Sequence, residues 1–223
     1  MKQYRTIRAA LFDFDGVVCD TESQYSVFWG GQCRKYHPEE PGLEHRIKGQ
    51  TLVQILDTCF SGQLSEYQHQ VVEELNEYEK QMDYCFVPGF EPFIKNLQQH
   101  GVKTAVVTSS NMDKMRNVYR QHPDFEQLFD RIITSEDFTK SKPHPECYQI
   151  AAEGFGLSPS ECVVFEDSFN GLKSGRAAQM AVVALATTNS REAVDPYSDV
   201  VISDYTGFDY EKMCRLLAES HCE

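Results

Sequence analysis

Short apolar runs rich in β-branched residues recur along the chain, and each ends on polar residues. Buried parallel strands read this way when the loops at their carboxyl ends carry function. Such runs occupy residues 9–14, 103–108, 131–134, 162–165 and 181–185, and residues 200–202 make a sixth. Between them the apolar spacing changes to the helical period over residues 90–100, 112–121, 145–155 and 168–179. Strand and helix in alternation predict an α/β fold built on a doubly wound parallel sheet. One stretch breaks the alternation. From residue 21 to residue 86 there is no convincing strand, only helix-period sequence such as residues 52–60 and 63–82. The expected organisation is therefore a core made of residues 1–20 and 87–223, interrupted by a helical insert over residues 21–86. The core resumes at Val87-Pro88-Gly89, a pairing of proline and glycine that suits a turn or hinge.

At 223 residues the chain is long enough for one α/β domain and a small insertion, and too short for two large domains. A hydrophobic content of 41% with 25% charged residues argues against both disorder and a fibrous architecture. The net charge of −13, with no basic run, argues against nucleic acid as a partner. A small anion stays compatible with that charge, because one phosphate needs only a few local donors and a cation. The eight cysteines are scattered without a CxxC pair, so reduced thiols are expected. The N-terminal apolar stretch is short and interrupted by Asp13 and Asp15, unlike a signal peptide or membrane anchor, which makes a cytoplasmic location the default expectation.

The chemistry concentrates at the predicted strand ends. Leu11-Phe12-Asp13-Phe14-Asp15-Gly16 delivers two carboxylates two positions apart, and a buried strand tolerates that only if the chain has opened into a loop or a cation neutralises them. Gly16 supplies the freedom to open. Val106-Val107-Thr108-Ser109-Ser110-Asn111 places a hydroxyl and successive backbone N–H groups before a helix, a cradle for a phosphate oxygen or simply a helix N-cap. In Lys140-Ser141-Lys142-Pro143-His144-Pro145 two prolines stiffen the backbone around a lysine that could hold a phosphate. Phe165-Glu166-Asp167-Ser168 ends another apolar run on an acidic pair, whose hard oxygens suit Mg²⁺.

Asp13 and Asp15, Thr108, Lys142, and Glu166 with Asp167, in that order along an alternating core, resemble the four motifs of the haloacid dehalogenase superfamily. The resemblance covers residues 7–20 and 87–204, and the insert falls where that superfamily carries a helical cap. The Glu-Asp-Ser form of the last motif, with Arg46-Ile47-Lys48-Gly49 in the insert, is similar to the subgroup of β-phosphoglucomutases and sugar-phosphate phosphatases. The resemblance implies a Rossmann-like core and a Mg²⁺-dependent phosphatase acting on a small phosphorylated metabolite. Asp13 would be the nucleophile and Asp15 the acid and base. Thr108, Ser109 and Lys142 would hold phosphoryl oxygens, and Lys48 and Gly49 would read the substrate. It implies a metal held by Asp13, the Asp15 backbone carbonyl and Asp167, with Glu166 as an additional or water-mediated ligand. An acid at Asp15 argues against the dehalogenase branch. Two departures from the β-phosphoglucomutase pattern, Leu52 in place of an arginine and Tyr25 in place of a histidine, favour phosphatase over mutase. A non-catalytic phosphate-binding protein is the alternative of another class, and the intact motifs argue against it.

Overall fold

The computed structural model describes residues 6–47 and 50–220. Its centre is a parallel sheet of six strands in the order β3-β2-β1-β4-β5-β6. The strands are β1 (Ala9–Phe12), β2 (Lys103–Val107), β3 (Arg131–Ile133), β4 (Cys162–Glu166), β5 (Ala181–Leu185) and β6 (Val200–Ile202). All six predicted strands form. The first three stop one or two residues early because Asp13, Phe14, Thr108 and Thr134 already belong to the loops beyond them. β1 lies between β2 and β4, with Phe12 opposite Val106 on one side and Phe165 on the other. The chain therefore winds outward from β1 in one direction and then in the other. The loops leaving β1, β2 and β4 part at the carboxyl edge, where a doubly wound sheet opens a crevice.

Helices cover both faces because a parallel sheet has no face it can leave in water. On one face Ala10 and Phe12 of β1 pack with α5 (Phe90–Gln99), α6 (Met112–Gln121) and α10 (Tyr210–Glu219). There Phe12 stacks on Phe165 with ring centres 4.6 Å apart and meets Phe90 edge-on at 5.6 Å. On the other face Ala9 and Leu11 pack with α7 (Glu146–Phe155) and α8 (Phe169–Ala177). A short helix, α9 (Arg191–Val194), precedes β6.

Between β1 and β2 the chain folds as α1 (Glu22–Tyr36), α2 (Leu43–Arg46), α3 (Leu52–Cys59) and α4 (Gln68–Glu79). The helical pattern over residues 63–82 divides in the structure. Residues Gly62–Tyr67 form a 3₁₀ turn, and α4 begins at Gln68. These helices bury a cluster of their own, including Phe28, Trp29, Leu43, Ile55, Phe60 and Val71. The chain leaves and re-enters the core side by side, where Asp20 donates its N–H to Cys85 O at 2.8 Å and Val87 donates to Val18 O at 2.9 Å. The described cysteines are free thiols, as expected. No described helix is long and apolar enough to cross a membrane.

Candidate active site

Asp13 is the first residue past β1, and its N–H still pairs with Phe165 O at 3.0 Å, so the carboxylate is fixed to the sheet edge. Beyond it the chain turns tightly, with the N–H groups of Val18 and Cys19 both reaching Phe14 O. Gly16 takes φ of +69°, and a Cβ there would fall 2.1 Å from Asp167 Oδ2, so both the turn and the approach of the acidic pair require glycine.

Lys142 is 4% exposed. Its ammonium donates to Asp13 Oδ1 at 2.7 Å, Glu166 Oε1 at 2.7 Å and Val107 O at 3.0 Å. Glu166 is fully buried, and both its oxygens are engaged. Oε1 accepts from Lys142 and from the Tyr148 hydroxyl at 2.9 Å. Oε2 accepts from the N–H groups of Asp167 and Ser168 and from the Ser168 hydroxyl, at 3.1 to 3.2 Å. Asp167 receives a hydrogen bond from the Thr188 hydroxyl on Oδ2. Thr108 is buried, with its N–H on Ile133 O and its hydroxyl oxygen accepting from Ser110 N at 3.0 Å.

These charges do not cancel. Burial pushes the Asp13 carboxyl up to about 7; Lys142 opposes that rise, while Glu166 and Asp15 add to it. The Asp167 carboxyl is raised well above the usual carboxylate range by burial, then by Glu166 and Asp13. Burial works against the Lys142 ammonium, yet Asp13 and Glu166 raise it well above its ordinary value. Asp13, Glu166 and Asp167 each bring a carboxylate oxygen within 4.8 Å of the others. Three clustered carboxylates, Glu166 and Asp167 buried and Asp13 partly so, against one ammonium make a site that a small divalent cation with oxygen preference would fit.

Asp13, Asp15, Thr108, Ser109, Lys142, Glu166 and Asp167 all line one cavity of about 390 Å³ between the sheet edge and helices α1 to α4. Across it Asn170 of α8 donates to Gln54 of α3 at 3.2 Å. Glu22 and Trp29 also line the cavity, whereas Lys48 and Gly49 lie outside the described residues.

Sequence reasoning did not single out Lys114, Thr21 or Ser110. Asp15 accepts from Lys114 Nζ on both oxygens at 2.6 and 2.5 Å, from the Thr21 hydroxyl at 2.6 Å and from the Ser110 hydroxyl at 3.2 Å. A signal for Lys114 existed. Asn111 caps α6 by accepting from Lys114 N, which puts this lysine in the first helical turn, where the helix dipole disfavours a cation.

Among known proteins, the chain is 27% identical over 210 residues to the bifunctional riboflavin kinase/FMN phosphatase of Arabidopsis thaliana, covering 91% of this chain and 54% of that protein. It is 27% identical over 203 residues to the validoxylamine A 7′-phosphate phosphatase of Streptomyces hygroscopicus subsp. limoneus, covering 89% and 94%. The fold superposes on β-phosphoglucomutase from Clostridium difficile with a TM-score of 0.80 at 22% identity, covering 98% of this chain and all of the other. The family model of the haloacid dehalogenase-like hydrolases matches residues 10–185, from β1 to the end of β5, and this chain belongs to that family.

Proposed function

We propose that this protein is a Mg²⁺-dependent phosphatase that hydrolyses a small phosphorylated metabolite, a sugar phosphate or a related ester, through a phosphorylated Asp13. The observation that carries this reading is Asp13 itself. Its carboxylate stands at the end of β1 with one oxygen on Lys142, in a cavity of small-molecule size that Thr108 also lines. The FMN and validoxylamine 7′-phosphate named in its relatives are small phosphate esters, which agrees with that substrate class.

In the first step an Asp13 oxygen attacks phosphorus in line with the leaving oxygen, and Asp15 gives that oxygen a proton. In the second, water attacks the aspartyl phosphate and Asp15 takes the proton back. Lys142, the Thr108 hydroxyl and the N–H of Ser109 meet charge on the phosphoryl oxygens. Glu166 stands behind Lys142 and holds it in place. Asp13, the Asp15 backbone carbonyl and Asp167 would hold Mg²⁺, with Glu166 contributing to the negative field that attracts it. When bound, the cation offsets the repulsion between Asp13 and the substrate phosphate, about 4 kcal/mol for unit charges ~4 Å apart at an effective dielectric of roughly 20. Helices α1 to α4 would act as a cap over residues 21–86, closing on the leaving group and excluding water and macromolecules.

The direct test is a panel of sugar phosphates and other phosphorylated metabolites with and without Mg²⁺, with bisphosphate-dependent isomerisation assayed alongside. Mg²⁺-dependent release of phosphate from at least one member is expected, and isomerisation outpacing it would move the reading to a mutase. Absence of turnover on every ester would leave a phosphate-binding protein.

A second expectation concerns the metal-free fold. Asp13 titrates near 7 in the folded protein against 3.8 as the ordinary value, so the folded state binds the proton more tightly. The stability gained from that proton is full below pH ~4 and is lost as pH rises through about 7. Asp167 shifts in the same direction. In chelator the melting temperature should therefore fall between pH 5 and pH 8, and Mg²⁺ should reverse most of the fall by binding only the folded state. A metal-free melting temperature that rises over this range, or that Mg²⁺ leaves unchanged, contradicts the carboxylate cluster as a cation site.

A further inference from the structure

Lys114 is a buried cation beside the site that the four motifs leave unexplained. It is 4% exposed, and its place in the first turn of α6 is one the helix dipole disfavours. Asp15 compensates for that position, with both carboxylate oxygens within 2.6 Å of Nζ. Thr21 donates to the first of those oxygens and Ser110 to the second. Each Asp15 oxygen is thus held by two donors, and every donor treats it as an acceptor.

The helical segment closes the other side. The Tyr25 ring on α1 lies with its centre 4.7 Å from Lys114 Nζ, and its hydroxyl donates to Glu79 of α4 at 2.7 Å. Glu79 is itself buried, its carboxyl raised by burial and drawn back down by Lys114 and Tyr25. The Phe14 ring stands on the nucleophile loop with its centre 5.3 Å from the same ammonium. Lys114 therefore joins the loop after β1 to α1 and α4, while Lys142 serves Asp13.

We propose that Lys114 is a positioning residue for the hydrolytic half of the reaction, fixing the Asp15 carboxylate as proton acceptor for the water that cleaves the aspartyl phosphate. The inference rests on the phosphatase reading above. In that step the water oxygen bonds to phosphorus, and the bond from phosphorus to the Asp13 oxygen breaks. The electron pair of that bond returns to the Asp13 carboxylate, and the proton of the water passes to Asp15. Without Lys114 the acceptor loses the charge that orients it. Transfer of the phosphoryl group onto Asp13 from an ester whose leaving group needs no proton should continue.

p-Nitrophenyl phosphate separates the two halves, because nitrophenolate departs unprotonated. Lys114→Met keeps most of the length of the side chain and removes the charge. In rapid-mixing experiments with Mg²⁺ we expect its steady-state kcat to fall about a hundredfold. A burst of about one nitrophenolate per active site should precede that slow rate, and acid quenching should trap the phosphorylated protein. Lys114→Arg, which keeps the charge, should recover about tenfold or more of the lost rate. Lys114→Gln serves as a second uncharged variant should the methionine variant fail to fold, and should give the same burst. The inference is overturned if kcat stays within about threefold of wild type, if burst and steady state vanish together in a folded uncharged variant, or if arginine rescues nothing. A wild-type protein inert toward this and every other phosphate ester would instead sink the phosphatase reading itself.

Discussion

Asp13→Asn is expected to lower turnover by at least about four orders of magnitude while leaving the fold intact. Asparagine matches the shape of the carboxylate but offers no anionic oxygen to form the bond to phosphorus, and neither Asp15 nor Glu166 is free to replace it. Asp15 is fully engaged with Lys114, Thr21 and Ser110, and Glu166 is sealed beneath Lys142 and Tyr148. The fold should survive because the substitution removes a charge from a cluster where burial and neighbouring carboxylates already disfavour it. Lys142 keeps Glu166 as its counter-charge. The checks are steady-state hydrolysis, acid-quench trapping of phosphoprotein and a thermal melt. A folded variant that turns over at the wild-type rate, or that still traps phosphate, would remove Asp13 from the mechanism.

Lys142→Met should be costly on both counts. The ammonium is shared between Asp13 and Glu166, both at 2.7 Å, in a pocket that water scarcely reaches. Deleting one partner of a buried ion pair typically costs about 3 to 5 kcal/mol, because the carboxylates left behind must stay buried unpaired or take up protons. Urea unfolding should register that loss, and it should shrink at acid pH, where Asp13 takes up a proton. Turnover should fall by about a thousandfold, since the charge on the transferring group loses a fixed cation aimed at it. A stability loss under about 1 kcal/mol at neutral pH would argue that Lys142 is not the counter-charge of the site.

The two substitutions act on different parts of one design. β1 carries Asp13 to the sheet edge, β4 carries the acidic pair beside it, and the loop before α7 brings Lys142 between them. Each strand is short and apolar, so its register with its neighbour fixes where its last residue emerges. The active groups then need little flexible loop to hold them, which is how charges this close are kept from rearranging.

Much of this was legible in the chain. The alternation of apolar strand and helix sufficed for the parallel sheet, because a short apolar run and a 3.6-residue apolar period are both local properties. Asp13, Thr108 and the Glu166-Asp167 pair stood out because they come at the end of apolar runs, and the carboxyl edge of a parallel sheet collects whatever follows its strands, whereas Lys142 stood out only by its flanking prolines in the loop before α7. The helical insert was recognisable from its missing strands, although the break at Gln68 was not, since a 3₁₀ turn and an α-helix share nearly the same apolar spacing.

Tertiary structure decided what the acidic groups do to one another. In the sequence Glu166 and Asp167 form one acidic pair, and only the family resemblance ranks Asp167 ahead of Glu166 as a metal ligand. In the fold both line the cavity, but both oxygens of Glu166 are taken, Oε1 by Lys142 and Tyr148 and Oε2 by the N–H groups of Asp167 and Ser168 and the Ser168 hydroxyl. Likewise Asp15 and Lys114 stand 99 residues apart in sequence and within hydrogen-bond distance in space. No local pattern records such a pair, because an ion pair is made by two backbones meeting. The sequence by itself determined which side chains arrive at the sheet edge. Only the packing of α6 and the helical segment against that edge determined which carboxylate Lys114 holds.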